Sequence, residues 1–421
     1  MNLRERLAKL RAPLGKPAAA PATGRFDDPP HADPAAARDP VTDPMQRLRA
    51  QLASVRPERL RGQPRSAPSH ITERELAAQL GGTLEEDGLI RIERRIDLAE
   101  RCGAVPLSRL HAVRALPGET PRDNAPPVYL DTETTGLSGG SGTISFLIGI
   151  ATLTPTQLHL SQWLITRFSA EPRQLAQLLA ALAPHVQLVS YNGKSFDLPL
   201  LETRLRLHGI TDPLTGLPHL DLLHPVRRLF AAHWPDCRLA SVEQHLLDLR
   251  RHQDLPGSEA PLAWFDWLQR GDGQRLTGIV AHNRQDLVSL AAAHAVVSDL
   301  DQLQHRADID LHGLAKWLAD HDAGQACALL GRHFGRLDAR ALRLYARLLQ
   351  RRNDWDGAVA IWERLATRGC EASIEDLAKF HEHRRRDYAT AFALTRRLGF
   401  HPATRRRSER LERKLAGLSR P

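Results

Sequence analysis

Paired carboxylates next to an apolar run have the spacing for metal-dependent chemistry. Asp131 and Glu133 follow the β-favouring run Val128–Leu130, and residues two apart on a strand project from the same face. The two side chains are expected about 7 Å apart along the strand. Two such carboxylates repel each other unless a cation or a shared proton lies between them. On its own, a D-x-E pair also fits an exposed acidic strand end.

Two downstream segments add polar groups at element boundaries. Leu188–Ser190 is predicted to be a short strand, and Asp197 ends the turn that follows it, with Phe196 expected to anchor the turn in the core. His282 and Asp286 lie at i and i+4, so they share one face of a predicted helix. Carboxylate oxygens without soft ligands suit Mg²⁺ or Mn²⁺.

The order D-x-E, N-x-x-x-F-D and H-x-x-x-D resembles the DEDD superfamily of 3′–5′ exonucleases, which have a ribonuclease H-like fold. Within that superfamily, residues 219–228, 254–258 and 282–286 are similar to the YprB-like branch of bacterial proteins. The resemblance covers roughly residues 90 to 300. One departure concerns His282, which lies four residues before the last Asp, where the superfamily usually has His five or Tyr four residues before it.

The resemblance implies a site for two Mg²⁺ or Mn²⁺ ions, about 3.5–4 Å apart, that activate water and neutralise the leaving oxygen. Asp131 would bridge the ions, Glu133 and Asp286 would complete the site of the ion that activates water, and Asp197 would support the second ion. His282 would orient or deprotonate the water.

Substrate-binding candidates flank these carboxylates. By the same resemblance, Thr134, Thr135 and Leu137 would lie beside the terminal nucleotide. Asn192 and Lys194 are candidates for phosphate contacts, although an Asn-Gly turn also has a purely backbone explanation.

Three more charged residues lie on one predicted helix. His224, Arg227 and Arg228 either line a substrate groove or form a solvated helix face. Asp221, just before this helix, either supports the metal site as a neighbouring acid or, as we expect, has a structural role.

The elements around these residues predict an α/β domain over 126–300, with a mixed five-stranded sheet flanked by helices as in the ribonuclease H-like fold. The predicted strands are Val128–Asp131, Ile144–Thr152, Leu158–Ile165, Val186–Ser190 and His219–Leu223. Residues 71–125 are predicted to pack beside this core, with 89–97 alternating like an edge strand. The Pro- and Ala-rich residues 1–70 are predicted to be a disordered leader.

Residues 301–421 are predicted to be all helical, with a weak internal repeat. The segment that begins at Asp354 aligns with the one that begins at Asp387 at an offset of 33, and Ala326 lies 32 residues before Ala358. Small residues at such a period are typical of tetratricopeptide-like repeats. An irregular helical bundle is the alternative.

The basic charge is concentrated at the C-terminus. The 421 residues have a net charge of +9, whereas residues 331–421 contain 22 Lys and Arg against 11 Asp and Glu, a net charge of +11. This excess indicates either polyanion binding or solvated, arginine-rich helix faces.

The sequence contains no apolar run of about 18 residues, so no membrane span is expected. The N-terminus lacks the apolar core of a signal peptide, so a cytoplasmic protein is expected.

These observations predict a metal-dependent 3′–5′ exonuclease that acts on single-stranded DNA or RNA ends, with a nucleic-acid track or a protein partner at the helical repeats. The alternative from another class is a non-catalytic nucleic-acid-binding adaptor whose repeats recruit a protein. A structure-specific endonuclease would use the same metal-site residues.

Overall fold

The computed structural model describes residues 70–119, 126–136, 142–182, 186–251, 255, 257–399 and 401–418, all of which belong to the compact unit that begins at Leu60. The leader predicted over 1–70 lies outside these residues, except for His70. Within the described ranges, no helix combines the length and the apolar composition that crossing a membrane needs.

The described part of the chain forms nine strands: β1 Thr83–Leu84, β2 Leu89–Asp97, β3 Arg101–Cys102, β4 Val105–Pro106, β5 Pro127–Thr134, β6 Ser145–Leu153, β7 Gln157–Ile165, β8 Gln187–Ser190 and β9 His219–Asp221. The α-helices in the described residues are α1 Glu73–Leu80, α2 Glu171–Ala181, α3 Asp197–Leu207, α4 Leu223–Phe230, α5 Leu239–Leu246, α6 Ala260–Arg270, α7 Gln274–Val297, α8 Leu300–Leu303, α9 Leu311–Ala319, α10 Ala323–Arg332, α11 Ala339–Arg351, α12 Trp355–Ala366, α13 Glu371–Phe380, α14 Tyr388–Arg396 and α15 Pro402–Leu418. A π-helical turn, His381–Arg385, extends α13.

The main sheet has seven strands in the order β1-β2-β7-β6-β5-β8-β9. Strands β5, β6 and β7 form the predicted antiparallel meander, and β8 and β9 continue the sheet in parallel to β5. The predicted mixed sheet of a ribonuclease H-like fold is therefore confirmed, but five strands was too few. The two additional strands, β1 and β2, come from the segment before the core. Strand β2 pairs with β7 along its whole length, and the short β1 pairs with the other edge of β2.

The central strand β6 is buried from Ser145 to Ala151, because helices cover the sheet. The indole of Trp264 on α6 stacks on Phe146 with a centroid separation of 5.4 Å and donates a hydrogen bond to the carbonyl of Ile165. Helix α7 crosses the sheet and is buried without interruption from Leu287 to Val297. Its N-terminal half, which is only partly buried, carries His282 and Asp286.

The C-terminal helices pack as consecutive neighbours, and their weak sequence period has a structural origin. Asp322, Asp354 and Asp387 each cap a helix through a side-chain oxygen that accepts backbone N–H groups. Four residues after each cap lies an alanine with no exposed surface, where a larger side chain would separate the helices. The offsets of 32 and 33 residues in the sequence are thus the spacings between equivalent aspartate helix caps and between equivalent buried alanines. Assignment to tetratricopeptide repeats stays a prediction.

The helical region and the sheet share one hydrophobic core. The indole of Trp317 on α9 donates to the carbonyl of Pro117, 3.0 Å away, and the guanidinium of Arg228 lies 5.1 Å from the centre of its ring. The backbone N–H of Asp310 donates to the carbonyl of Leu229 at 2.7 Å. The domain limits 126–300 and 301–421 stay predictions about folding units.

Candidate active site

The four predicted carboxylates come together where β5, the start of α3 and α7 meet. Asp131 and Glu133 project from β5, Asp197 begins α3, and Asp286 lies on α7. Each of the other three carboxylates acts electrostatically on Asp131. The fifth predicted member, His282, has its Nε2 3.5 Å from Asp286 Oδ2 and 4.0 Å from Glu133 Oε1. The unusual spacing of His282 therefore still places its ring against the carboxylates.

Burial and like charges perturb this cluster. The pKa of Asp131 lies well above its ordinary value, first because burial disfavours the charged form and then because Asp286, Asp197 and Glu133 repel it. Burial also raises the pKa of Asp197 to about 6, against the opposing hydrogen bond from Thr132. That hydroxyl donates to Asp197 Oδ1 at 2.5 Å. Both carboxyl groups therefore keep their protons to a higher pH than an exposed aspartic acid does.

Asn283, which the sequence analysis did not single out as a site residue, positions Asp131. It is fully buried, and its Nδ2 donates to Asp131 Oδ2 at 2.7 Å and to the Asp131 carbonyl at 3.2 Å. Gln162 orients the amide by donating to Asn283 Oδ1 at 2.7 Å. Gly149 makes the approach possible, because a Cβ there would lie 2.3 Å from Asn283 Oδ1.

Asp221 fixes the turn that carries Asp197. Its carboxylate accepts hydrogen bonds from the backbone N–H groups of Asn192 at 2.7 Å and Lys194 at 3.1 Å. It also accepts the N–H of Leu223 at 3.0 Å. Asn192 has a φ of 67°, a left-handed conformation that Asn tolerates better than most residues. This is the structural role that was expected for Asp221.

Arg251, which no sequence motif indicated, also contacts the carboxylate cluster. Its guanidinium ion-pairs with Asp286 and donates to Glu243 Oε2 from Nε at 2.8 Å. Glu243 is buried and accepts a further hydrogen bond from Ser289. Arg251 Nη1 lies 3.1 Å from His282 Nδ1. A guanidinium only donates, so Nδ1 accepts, and the proton of a neutral imidazole is on Nε2, facing the carboxylates.

A pocket of about 470 Å³ opens beside Asp131 and Asp197. Its wall includes the predicted substrate residues Thr134 and Asn192. Phe196 also lines it and is 51% exposed, so the expectation that Phe196 anchors the turn in the core was wrong. The turn points this ring outward, and Leu198 and Leu201 of the following helix fill the core instead.

The other predicted substrate residues lie elsewhere. Thr135 is buried, and its hydroxyl accepts the N–H of Ile144 at 3.0 Å, which closes the hairpin. Lys194 is exposed at the turn, outside the wall of the pocket. Leu137 lies outside the described residues. His224, Arg227 and Arg228 are exposed on α4.

The donor set fits a hard divalent cation, because it consists of carboxylate oxygens whose mutual repulsion a cation would relieve. In the arrangement described, however, no three or more His, Cys, Asp or Glu side chains among the described residues are already grouped as metal ligands. Asp286 faces Arg251, Asp197 faces Thr132 and Asp131 faces Asn283. Arg251 occupies Asp286 Oδ1, so an ion held by Asp286 competes with this guanidinium.

Comparison with known proteins agrees with this geometry. Residues 128–296 match the family model described as the RNase_H superfamily. The chain is also similar to a Bacillus subtilis (strain 168) protein named as the uncharacterized protein YprB, with 33% identity over 278 residues, or 62% of this chain and 66% of that protein. The chain thus spans just under two thirds of that relative's length. The matched segment contains the strands from β5 to β9 and all four carboxylates, and it has an RNase H-like fold.

Proposed function

We propose that this chain is a metal-dependent 3′–5′ exonuclease that hydrolyses phosphodiester bonds at single-stranded nucleic-acid ends. The observation that carries the proposal is the convergence of Asp131, Glu133, Asp197 and Asp286, of which Asp131 and Asp197 line one pocket. Exposed Phe196 in the same pocket supports a nucleic-acid substrate, because a base can stack on an aromatic face whatever its identity.

The four carboxylates would hold two Mg²⁺ or Mn²⁺ ions, which supply an activated water and neutralise the leaving oxygen when bound. Asn283 holds Asp131 in position from one side, and Thr132 does the same for Asp197. His282 acts on the attacking water. To accept its proton, Nε2 must be unprotonated, so the Arg251 contact at Nδ1 has to be released and Nδ1 has to carry the proton instead.

The direct test uses purified full-length protein with Mg²⁺ or Mn²⁺ on DNA and RNA oligonucleotides labelled at the 5′ or 3′ end. We expect 5′-labelled strands to shorten progressively from the 3′ end, and closed circular single strands to resist cleavage. Cleavage of circles would show an endonuclease instead. The matched control is Asp131→Asn, which keeps an acceptor for Asn283 and should lose at least about a thousandfold in rate, because the metal supplies several kcal/mol.

A non-catalytic nucleic-acid-binding adaptor is the second candidate. The observation that favours it is Arg251, which neutralises Asp286 without any metal. A calorimetric Mn²⁺ titration of the wild-type protein separates the two. An exonuclease should bind Mn²⁺ with an affinity that drops sharply in Asp131→Asn, whereas an adaptor should bind it weakly in both proteins.

The C-terminal helices would serve this activity as tetratricopeptide-like repeats that present a surface to a protein partner or to the substrate. A cytoplasmic location is part of the same proposal.

A further inference from the structure

Helices α9 and α11 enclose a groove of about 380 Å³ whose walls are strongly basic. Arg340, Arg343, Arg347 and Arg351 follow one another at i, i+3, i+7 and i+11 on α11, so they share one face of that helix. Lys316 faces them from α9. Among the residues that the structure describes, Asp320 is the one acidic residue in the groove wall.

Part of this positive charge is offset by neighbouring carboxylates. Arg340 lies 2.9 Å from Asp338 Oδ2 and 3.5 Å from Asp310 Oδ2, and Arg343 and Arg347 act electrostatically on Asp376 of α13. The Nε of Arg343 is shielded from solvent and has no hydrogen-bond partner among the described residues. A buried donor of this kind costs free energy until an acceptor reaches it. Lys316, Arg343, Arg347 and Arg351 are called the basic groove below.

The basic groove is linked to the catalytic pocket through α4. That helix begins just after Asp221, which holds the turn of Asp197. The exposed Arg227 and Arg228 lie on α4, and the Arg228 guanidinium covers the ring of Trp317, the residue next to Lys316. Helix α9 approaches α4 so closely that a Cβ on Gly313 would lie 2.1 Å from the Arg228 carbonyl oxygen. Between the two regions, Arg227 acts electrostatically on Tyr191 in the pocket wall, and Arg228 contacts Trp317 on the helix that carries Lys316.

We propose that the basic groove binds the phosphodiester backbone of a single-stranded nucleic acid whose 3′ end occupies the catalytic pocket, which rests on the proposed exonuclease function. Guanidinium groups match phosphate oxygens in pairs, and a row of them at helical spacing suits repeated phosphates. An acidic protein segment fits less well. The groove offers few apolar side chains, mainly Leu344 and Leu348, for a folded partner to bury.

The test compares two triple variants of the full chain with equal loss of charge. The groove variant is Lys316→Gln, Arg347→Gln and Arg351→Gln, all exposed positions in the groove wall. The control is Arg368→Gln, Arg406→Gln and Arg413→Gln, three exposed positions of the helical region away from the groove. Binding of a long fluorescent single-stranded DNA or RNA is measured in EDTA as a function of salt.

Each lost phosphate contact should lower the log–log salt slope by about 0.7 for a single strand, so the groove variant should lose about 2 in slope and the control nothing. A charge-preserving version, Lys316→Arg with Arg347→Lys and Arg351→Lys, should retain most of the slope. Equal slopes for the groove variant and the control would overturn the proposal. So would an unchanged slope with loss of binding to polyglutamate, which would indicate an acidic protein instead. EDTA removes turnover, so a failed cleavage assay leaves this result intact.

Discussion

Arg251 ion-pairs with Asp286, the last of the four clustered carboxylates in the chain. The same guanidinium also forms an ion pair with the buried Glu243. The acidic cluster therefore contains its own cation, and a metal ion has to compete with a tethered positive charge for one of its ligands.

The Arg251→Gln variant should bind Mn²⁺ more tightly than the wild-type protein. A hydrogen bond to a charged group is worth about 1.5–3 kcal/mol, so relieving this competition should lower the dissociation constant roughly ten- to hundredfold. In EDTA the same variant should be less stable by about 3–5 kcal/mol, because Glu243 and Asp286 lose their partner. Calorimetry and urea unfolding measure the two effects.

Arg275→Gln is the matched control for this variant, because Arg275 also pairs with a carboxylate, Glu259, but lies near the start of α7 away from the cluster. Its Mn²⁺ affinity should equal that of the wild-type protein. Unchanged or weaker metal binding in Arg251→Gln would mean that the arginine does not compete with the ion.

His282→Ala should slow phosphodiester hydrolysis by about 10²–10⁴-fold, the usual contribution of a general base. Its Mn²⁺ affinity should change little, because the carboxylates remain. Single-turnover rates at saturating metal and calorimetry give the two quantities. Loss of metal binding together with rate would identify His282 as a ligand, and the water would need another base.

The metal-free protein should lose stability as the pH rises through about 6. The pKa of Asp197 in the folded protein is about 6, against an ordinary value of 3.8. The folded state therefore binds more protons than the unfolded state between these values, and the free energy of unfolding falls with rising pH. Asp131, whose pKa is also raised, acts in the same direction.

Urea unfolding in EDTA between pH 4 and pH 8 measures this dependence. The Asp197→Asn variant should show a smaller loss over the same interval, and saturating Mn²⁺ should remove most of the loss in the wild-type protein. Stability that rises with pH in EDTA would contradict the prediction.

Phe196→Ala should weaken the binding of single-stranded oligonucleotides. Stacking of one base on an aromatic ring is worth about 1–3 kcal/mol, which corresponds to roughly a five- to hundredfold rise in the dissociation constant. Phe196→Trp should preserve binding. Leu207→Ala is the control, because Leu207 is the other large apolar side chain that is strongly exposed among the described residues, at 58%. Equal affinities for Phe196→Ala and Leu207→Ala would exclude a stacking role.

The parts of the site that the sequence predicted depend on short-range rules. Asp131 and Glu133 are two apart on a strand, and His282 and Asp286 are four apart on a helix, so each pair had to share a face. The order of the motifs, which resembles that of the DEDD superfamily, then assigned the two pairs and Asp197 to one predicted metal site. The strands of the core were predictable for the same reason, since apolar runs and turn residues define them locally.

The parts that could not be predicted arise from contacts between distant segments. Asn283 lies between His282 and Asp286 in the sequence, but its contact with Asp131 depends on Gly149. This glycine, on a strand far away in sequence, leaves room for the Asn283 amide. Arg251 is one of many arginines until folding places it between Glu243 and Asp286. The strand Leu89–Asp97 has the alternation of an edge strand, and only its pairing with β7 and the short β1 shows that it is internal.

The shared core has a practical consequence for engineering, since the sheet and the C-terminal helices cannot be separated or exchanged independently. Shortening the chain at residue 300 would remove the cover over Trp234, whose indole donates to Asp308 at 2.9 Å, and would leave the Pro117 carbonyl without Trp317. A fragment ending there should aggregate rather than yield a minimal enzyme. Grafting a new binding surface onto the helices should instead proceed by exchanging exposed side chains on an intact chain.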